Sequence, residues 1–184
     1  KKWFSKAEES EINDPNAVAV ATSNKNNQPN VRMVLLKGLS DKGFVFYTNF
    51  NSRKGSELKE NQKASMCFHW KSLRRQVRVI GKVEEVSSKE ADDYFNTRPY
   101  KNRIGAWASS QSKVLDKRET FLKNIKEFEN KFPDQANVPR PPHWSGWRLL
   151  PDEIEFWLDG DGRIHERLNY KKKSSKWEKE LLYP

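Results

Sequence analysis

Short runs of apolar residues, many alternating with polar ones and separated by turn-forming residues, recur along the chain. Period-two alternation is the pattern of a half-buried β-strand, and it predicts about six to eight short strands here. The candidate runs are Ala17–Thr22, Val31–Lys37, Gly43–Asn49, Lys63–Trp70, Gln76–Val86, Ser145–Leu150, Glu153–Leu158, Arg163–Tyr170 and Lys176–Tyr183.

Helical patterns are fewer. Residues 1–13 have weak amphipathic character, Ser52 is a candidate N-cap for a helix to Asn61, and Ser87-Ser88-Lys89-Glu90 is a capping box. A further helix is expected over about Leu115–Phe132, followed by a proline-rich connector. Because the helices are too few to alternate with strands, the pattern predicts an α+β fold: a mainly β, antiparallel barrel with helices packed outside, formed by residues 1–184 as one domain.

The runs Val31–Lys37 and Gly43–Asn49 are expected to pair as a hairpin through a polar turn, with the first run buried. Cations and hydroxyls collect at the ends of these strands: Arg32, Lys37, Tyr47, Thr48, Arg53 and Lys54. Guanidinium, ammonium and hydroxyl groups are donors that hold phosphate, so the hairpin is a candidate phosphate site. The alternative is a basic hairpin whose charges face water.

The spacing Arg163-x-His165-x-Arg167 gives a second candidate. Residues two apart in a strand share a face, so the three side chains would project together while Ile164 and Leu168 face the core. Three adjacent basic groups favour a bound anion or an electron-rich ring.

That motif also has a structural interpretation. It fits a solvated edge strand in which Glu155 or Glu166 balances the charge. Trp157, just before the following turn, is either a surface for a planar ligand or an ordinary core residue.

A third candidate pairs Tyr94 with Arg98, which are four apart on the capped helix and share a face. A tyrosine hydroxyl with an arginine again fits phosphate, although such pairs also occur on plain surfaces. Gln111, Ser112 and Gln76 are further polar donors with little meaning alone. Two cationic groups and a basic strand face together suggest two phosphorylated ligands.

The composition of the chain limits the classes of function that it can have. The formal net charge of +10 favours acidic partners such as nucleic acid, anionic membranes or phosphorylated small molecules. The single cysteine, Cys67, excludes an intrachain disulfide and fits a reducing, cytoplasmic compartment. No membrane span or signal peptide is visible. Scattered histidines and missing nucleophile-elbow and phosphate-loop motifs argue against a metal site or hydrolytic chemistry, so redox chemistry would need an organic cofactor.

Taken together, the motifs resemble those of the pyridoxine (pyridoxamine) 5′-phosphate oxidases, FMN-dependent flavoproteins of the split β-barrel type. The resemblance covers nearly the whole chain in the family's order. The motifs are RMVLLK (32–37), FYTN (46–49), SRK (52–54), RQV (75–77), YFNTRP (94–99), IGAW (104–107), QS (111–112), IEFW (154–157) and RIHER (163–167).

The resemblance implies site residues by position. The implied FMN contacts are Arg32, Met33, Val34, Leu35, Leu36, Lys37, Tyr47, Thr48, Arg53, Lys54, Gln76, Gln111, Ser112, Trp157 and Arg167. The implied substrate contacts are Lys37, Tyr94, Arg98, Asn102, Arg163 and His165, of which Arg163 and His165 are the catalytic candidates. The family usually has serine at the position of Asn102, and the turn after Trp157 also departs from the usual residues.

The resemblance further implies an activity and an assembly. The expected reaction is oxidation of pyridoxine and pyridoxamine 5′-phosphates to pyridoxal 5′-phosphate, with O2 as acceptor and H2O2 as product. The family is homodimeric with the flavin at the subunit interface, and a C-terminal region of about residues 143–184 is expected to carry dimerisation and substrate strands.

Three other interpretations stay open. A split-barrel flavin reductase or FMN-binding protein would act on another substrate, but it should not need a second phosphate site. A nucleic-acid binder would explain the charge and the aromatic residues, and it would be colourless. A non-catalytic carrier of flavin or pyridoxal phosphate would bind but not turn over.

Overall fold

The computed structural model describes residues 1–174 and 176–184. The helices are α1 (Lys2–Ser10), α2 (Arg53–Glu60), α3 (Ser88–Asn96), α4 (Tyr100–Ala108) and α5 (Arg118–Lys131). The strands are β1 (Ala17–Ser23), β2 (Pro29–Leu35), β3 (Gly38–Ser40), β4 (Gly43–Asn49), β5 (Lys63–Trp70), β6 (Arg75–Glu85), β7 (Trp144–Leu158), β8 (Glu166–Lys173) and β9 (Lys176–Leu182).

The chain divides into two compact units. The first unit comprises Lys1–Phe46, Glu57–Glu84 and Arg148–Pro184. The second comprises Tyr47–Ser56 and Glu85–Trp147, and it contains α3, α4 and α5.

The strands form one sheet in the order β2-β1-β5-β6-β7-β4-β3, with β8 pairing β7 and β9 pairing β8. Neighbours such as β1 and β2, β5 and β6, and β7 and β8 run antiparallel. The predicted mainly antiparallel architecture is confirmed.

The predicted hairpin of residues 31–37 with 43–49 is wrong. Strand β2 pairs with β1, in a register from Ala17↔Leu35 to Ser23↔Pro29, whereas β4 pairs with the short β3. The physical reason is that each pair is joined by a short hairpin turn, and such turns join antiparallel neighbours. Only two residues separate the paired Ser40 and Gly43, and the tight turn after β1 places Asn27 at φ 60°.

Strand β2 is not buried as predicted. Val31 and Met33 are 70% and 63% exposed, and Leu35 is also exposed. Exposure alternates along the strand, so Val31, Met33 and Leu35 share one face that faces outward among the described residues.

The core of the first unit is built from alternate residues of the strands, which is the half-buried pattern seen in the sequence. Fully buried members are Val18, Val20, Phe46, Leu58, Met66, Phe68, Val79 and Leu149. Gly81 forms no bulge with β5, because the register runs unbroken from Lys63↔Lys82 to Trp70↔Arg75. Its missing side chain instead admits the Leu150 carbonyl, which a Cβ would meet at 1.9 Å.

The second unit packs its helices around Phe95, Ile104, Val138 and Trp144. The predicted start of this helix is confirmed with Ser87 as its N-cap, since the Ser87 hydroxyl accepts a hydrogen bond from the Glu90 N–H at 3.1 Å. Helix α4 was not predicted, because it contains a glycine and no capping residue marks where it begins.

Candidate functional site

A buried lysine marks the first candidate site, in the second unit. Lys54 is 8% exposed as a residue, and its ammonium donates to Thr48 Oγ1 and Gln111 Oε1, both at 2.9 Å. Helix α2 positions it, because the Ser52 hydroxyl caps the helix by accepting from Gly55 N–H at 3.3 Å. The three predicted residues Thr48, Lys54 and Gln111 are therefore brought together around a cation that suits an anionic ligand.

Two neighbouring predicted residues face outward. Arg53 and Ser112 are exposed, and Ser112 has a left-handed backbone with φ 71°. Asn49, which was not predicted, ties β4 to the end of α4 by donating to the Ser109 carbonyl at 3.1 Å. That bond fixes the strand that carries Thr48.

An aromatic stack marks the second candidate site, also in the second unit. The Tyr47 ring stacks on Tyr94 at a centroid distance of 4.0 Å and on Trp144 at 5.3 Å. The Arg98 guanidinium lies over the same Trp144 ring, with Cζ 4.8 Å from its centroid. Stacking of this kind holds the tyrosine and arginine in defined orientations.

Burial affects the charge of both residues of this pair. It raises the pKa of Tyr94 and lowers the pKa of Arg98, so it disfavours the charged form of each side chain. A bound anion would offset this cost for the Arg98 guanidinium. Arg98 Nη1 is buried without a hydrogen-bond partner within residues 1–174 and 176–184. A buried guanidinium nitrogen with an open donor position is the group expected to bind an oxyanion. Asn102 is exposed on α4.

The predicted residues of β2 lie in the first unit, where Arg32 forms an internal ion pair. Its guanidinium donates to Thr22 Oγ1 and Val20 O, and it contacts the Glu57 carboxylate at 3.3 Å. Val34 is half-buried and Leu36 is buried, whereas Lys37, just after the strand, is exposed.

The prediction that Arg163, His165 and Arg167 share one strand face is wrong. Strand β8 begins at Glu166, and Arg163 ends a 3-10 turn (Asp161–Arg163) with φ +64°. A left-handed residue cannot continue a strand, so the period-two argument fails at this position. Ile164, expected in the core, is 74% exposed.

Arg167 belongs to a buried ion-pair network. Its Nε donates to Glu155 Oε1 at 2.8 Å, and the Arg78 guanidinium contacts Glu155 Oε2. Burial alone would raise the pKa of Glu155, but hydrogen bonds from Arg167 and Arg78 outweigh it and hold that pKa below its usual value. The same bond raises the pKa of Arg167. Glu155 thus accompanies Arg167, as the structural interpretation of the motif expected, and the site assignment of Arg167 stays a prediction.

His165 and Arg167 line one cleft of about 620 Å³ in the first unit. Its walls include Trp3, Phe156 and Leu181, so most of the lining is apolar. Trp157 lies opposite Arg167 in the β7–β8 register, and its ring is 4.6 Å from that of His165. Gln76 pairs with His69 and is half-buried.

Several side chains that shape these groups were missed from the sequence. Glu155 is not among them, because the structural interpretation of the basic motif already named it as a partner for these cations. No sequence signal pointed to Glu57, Trp144 or Asp159. Each contacts a residue distant in sequence: Arg32, Tyr47 and Arg74, respectively. In the described part of the chain, no cluster of metal-ligating side chains and no membrane-spanning helix is found.

This fold is that of the FMN-binding split β-barrel proteins. PhzG from Burkholderia lata 383, solved with tetrahydrophenazine-1-carboxylic acid, matches with a TM-score of 0.93 at 30% identity, over 100% of this chain and 89% of that one. A pyridoxamine 5′-phosphate oxidase-related, FMN binding protein from Nostoc punctiforme matches with a TM-score of 0.79 at 17% identity, over 100% and 95%. The second likeness establishes the fold alone.

The chain belongs to the pyridoxamine 5′-phosphate oxidase family. The family's sequence model "Pyridoxamine 5′-phosphate oxidase" matches residues 4–132, and "Pyridoxine 5′-phosphate oxidase C-terminal dimerisation region" matches residues 144–184. A pyridoxine/pyridoxamine 5′-phosphate oxidase from Pelagibacter ubique is 58% identical, over 99% of this chain and 88% of the relative. Its counterpart from Rhizobium etli is 55% identical, over 100% and 89%. The prediction of an enzyme of this family is confirmed.

Proposed function

We propose that the protein oxidises pyridoxine 5′-phosphate and pyridoxamine 5′-phosphate to pyridoxal 5′-phosphate, with FMN as cofactor and O2 as the final acceptor. The observation that carries the proposal is Arg98 Nη1, a buried donor without a partner among the described residues, beside Tyr94. A bound phosphate ester would satisfy that donor and offset the cost of burying the guanidinium.

The residues around Lys54 fit the phosphate of FMN. A buried ammonium held by Thr48 and Gln111 offers a cation with two polar neighbours, which is a donor set suited to a phosphate dianion. When bound, FMN supplies the two-electron acceptor that amino-acid side chains lack, and O2 then removes those electrons as H2O2. The further FMN contacts we propose by resemblance are Arg32, Met33, Val34, Leu35, Leu36, Lys37, Tyr47, Arg53, Gln76, Ser112, Trp157 and Arg167.

We assign the substrate phosphate to Tyr94 and Arg98, with Lys37 and Asn102 as further contacts by resemblance. Holding the substrate by its phosphate fixes its pyridine ring and turns a bimolecular encounter into an oriented one. Arg163 and His165 would orient the ring and its 4′ substituent. Oxidation removes a hydride equivalent and a proton from the alcohol substrate, while the amine product also takes up water and releases ammonia.

We further propose a homodimer with the flavin at the subunit interface. Support comes from the dimerisation region matched over residues 144–184 and from the apolar residues that β2 leaves exposed, Val31, Met33 and Leu35. Apolar stripes of this kind are uncommon on the free surface of a monomer.

A second candidate is a split-barrel flavoenzyme with a different substrate. The likeness to PhzG favours it, because that protein was solved in complex with tetrahydrophenazine-1-carboxylic acid, a ring carboxylic acid. The buried guanidinium of Arg98 would then meet a carboxylate, which it can also bind in a bidentate manner.

Steady-state assays in air distinguish the two. We expect the purified protein to be yellow and to form pyridoxal 5′-phosphate and H2O2 in equal amounts from either phosphate ester. A yellow protein that turns over neither ester would contradict the B6 assignment and favour the second candidate.

A further inference from the structure

We propose that Asp159 is a positioning residue that keeps a proton on Nδ1 of His165, so that Nε2 is the ring nitrogen offered to a reactant. The inference rests on the proposed function for placing His165 beside the substrate. The tautomer itself depends only on residues of this chain.

Asp159 is held in place independently of His165. Its backbone N–H donates to the Arg74 carbonyl at 3.1 Å, and its Oδ2 forms an ion pair with the Arg74 guanidinium. A carboxylate fixed both through its backbone and through one oxygen has little freedom to turn. Its second oxygen, Oδ1, lies 3.0 Å from His165 Nδ1.

The turn brings these two residues together. A Cβ on Gly160 would lie 2.0 Å from the Ile164 carbonyl oxygen, so the chain closes back on itself tightly at this point. The Trp157 ring, 4.6 Å from the imidazole centroid, flanks His165 on another side. The histidine ring is therefore confined between an aromatic side chain and a fixed carboxylate.

Two neighbours compete for Nδ1. The Gly160 N–H lies 3.2 Å away and would donate to an unprotonated Nδ1, whereas Asp159 Oδ1 requires a proton there. In this structure the Gly160 N–H makes the hydrogen bond to Nδ1, and the Asp159 carboxylate acts through its negative charge, which favours a hydrogen on the nearest ring nitrogen. An unprotonated Nδ1 would also place its lone pair against a carboxylate oxygen. Both effects, and the shorter distance, favour the Nδ1–H tautomer.

The consequence concerns the other nitrogen. The His165 side chain keeps 21% of its surface exposed, and with Nδ1 engaged a neutral ring presents Nε2 as an acceptor. Nε2 could therefore accept the proton that the substrate's 4′ alcohol or amine loses when the substrate is oxidised. With the opposite tautomer, Nε2 would carry a hydrogen and could not accept one.

The test is 15N NMR of the flavin-loaded protein labelled at histidine, without substrate, at a pH where His165 is neutral. The His165 signals are identified by their loss in His165→Asn. In the wild type we expect a pyrrole-type Nδ1 and a pyridine-type Nε2. Asp159→Asn should shift the population toward the opposite assignment, because Gly160 then donates to Nδ1. The matched control Asp161→Asn, exposed in the same turn, should leave the spectrum unchanged.

Kinetics supply the second readout. We expect Asp159→Asn to lower kcat by about 10- to 100-fold, part of the usual general-base contribution, with KM changed less than about twofold. A wild-type proton on Nε2 would overturn the proposal, as would a shifted tautomer with unchanged kcat. The wild-type spectrum decides the tautomer even if Asp159→Asn does not fold. A wild type that oxidises neither B6 ester would remove the proposed function and leave the tautomer result standing.

Discussion

The guanidinium of Arg98 lies over the indole of Trp144, with Cζ 4.8 Å from the ring centroid, and its Nη1 is buried without a hydrogen-bond partner in the described residues. The aromatic face compensates part of the charge but cannot accept a directed hydrogen bond as an oxyanion does. The second unit thus holds a fixed cation with unused donor capacity, four residues after Tyr94. The prediction that both residues lie on the capped helix is wrong, because α3 ends at Asn96 and Arg98 follows it.

Arg98→Ala should weaken substrate binding and leave the flavin in place. Loss of a charged hydrogen-bonding group costs about 1.5–3 kcal/mol, so we expect KM for pyridoxamine 5′-phosphate to rise by about 10- to 100-fold. Steady-state kinetics together with the flavin-to-protein absorbance ratio measure both effects. Lys101→Ala, which removes an exposed cation nearby, is the control and should change neither. Loss of flavin from Arg98→Ala would mean that the two phosphate sites are assigned the wrong way round.

Lys54→Met should have the complementary effect. Removing the buried ammonium leaves Thr48 and Gln111 without their cation, and we expect FMN affinity to fall by about 10- to 100-fold. Titration of the flavin-free protein with FMN, followed by fluorescence quenching, gives the Kd. Lys59→Met on the same helix is the matched control. Equal Kd values for Lys54→Met and the wild type would exclude Lys54 as a phosphate ligand.

Glu155→Gln should destabilise the fold. The carboxylate is 2% exposed and bonded to both Arg78 and Arg167, so its loss leaves two guanidinium groups less compensated. Breaking a buried ion pair costs about 3–5 kcal/mol, and we expect about 2–3 kcal/mol here because both arginines reach solvent. Urea unfolding at neutral pH measures the change, and exposed Glu166→Gln is the control. A change under about 0.5 kcal/mol, the range of ordinary surface substitutions, would show that the network contributes little to stability.

The same network predicts a pH dependence. The pKa of Glu155 is lower in the folded than in the unfolded chain, so its contribution is full above the usual glutamate value of 4.5 and is lost as pH falls through the folded-state pKa. The stability difference between the wild type and Glu155→Gln should therefore narrow from neutral pH to about pH 3. A difference that stays constant over this range would contradict the ion-pair interpretation.

Gly81 offers a test of the sheet packing. Ala at this position would place its Cβ 1.9 Å from the Leu150 carbonyl oxygen, and we expect a loss of about 2–3 kcal/mol. Gly105 in α4 has nothing within 4 Å of its Cβ position, so Gly105→Ala should stabilise by about 0.5–1 kcal/mol. Thermal unfolding of the two variants should shift in opposite directions, and shifts of the same sign would contradict the packing described for Gly81.

Features encoded by neighbouring residues could be predicted from the sequence. The Ser87 cap depends on residues three apart, and the run Lys63–Trp70 coincides with β5, because its alternation records burial residue by residue. Thr48 and Lys54 were grouped from their positions at the strand ends, whereas Gln111, which is distant in sequence, joined them only through the family resemblance.

Features set by long-range pairing could not be predicted. The partner of β2 is β1, and nothing within Val31–Lys37 specifies β1 over β4. The strand that was expected to begin at Arg163 does not form there, because Arg163 has a left-handed backbone conformation. Nothing in its residue type predicts that conformation. The carboxylate that pairs with Arg32, Glu57, lies on another element and was found only in the structure, whereas Glu155 was named from the sequence as one of two possible partners of the motif that contains Arg167.

The central claim is that one chain provides a site for FMN and a distinct phosphate site for a B6 vitamer. The most direct measurement is the visible spectrum of the purified yellow protein, mixed without oxygen with pyridoxamine 5′-phosphate or with pyridoxamine. We predict rapid bleaching of the flavin band by the phosphate ester and bleaching at least about tenfold slower by pyridoxamine, because only the ester reaches Arg98. A colourless protein, or equal bleaching by both compounds, would contradict the account.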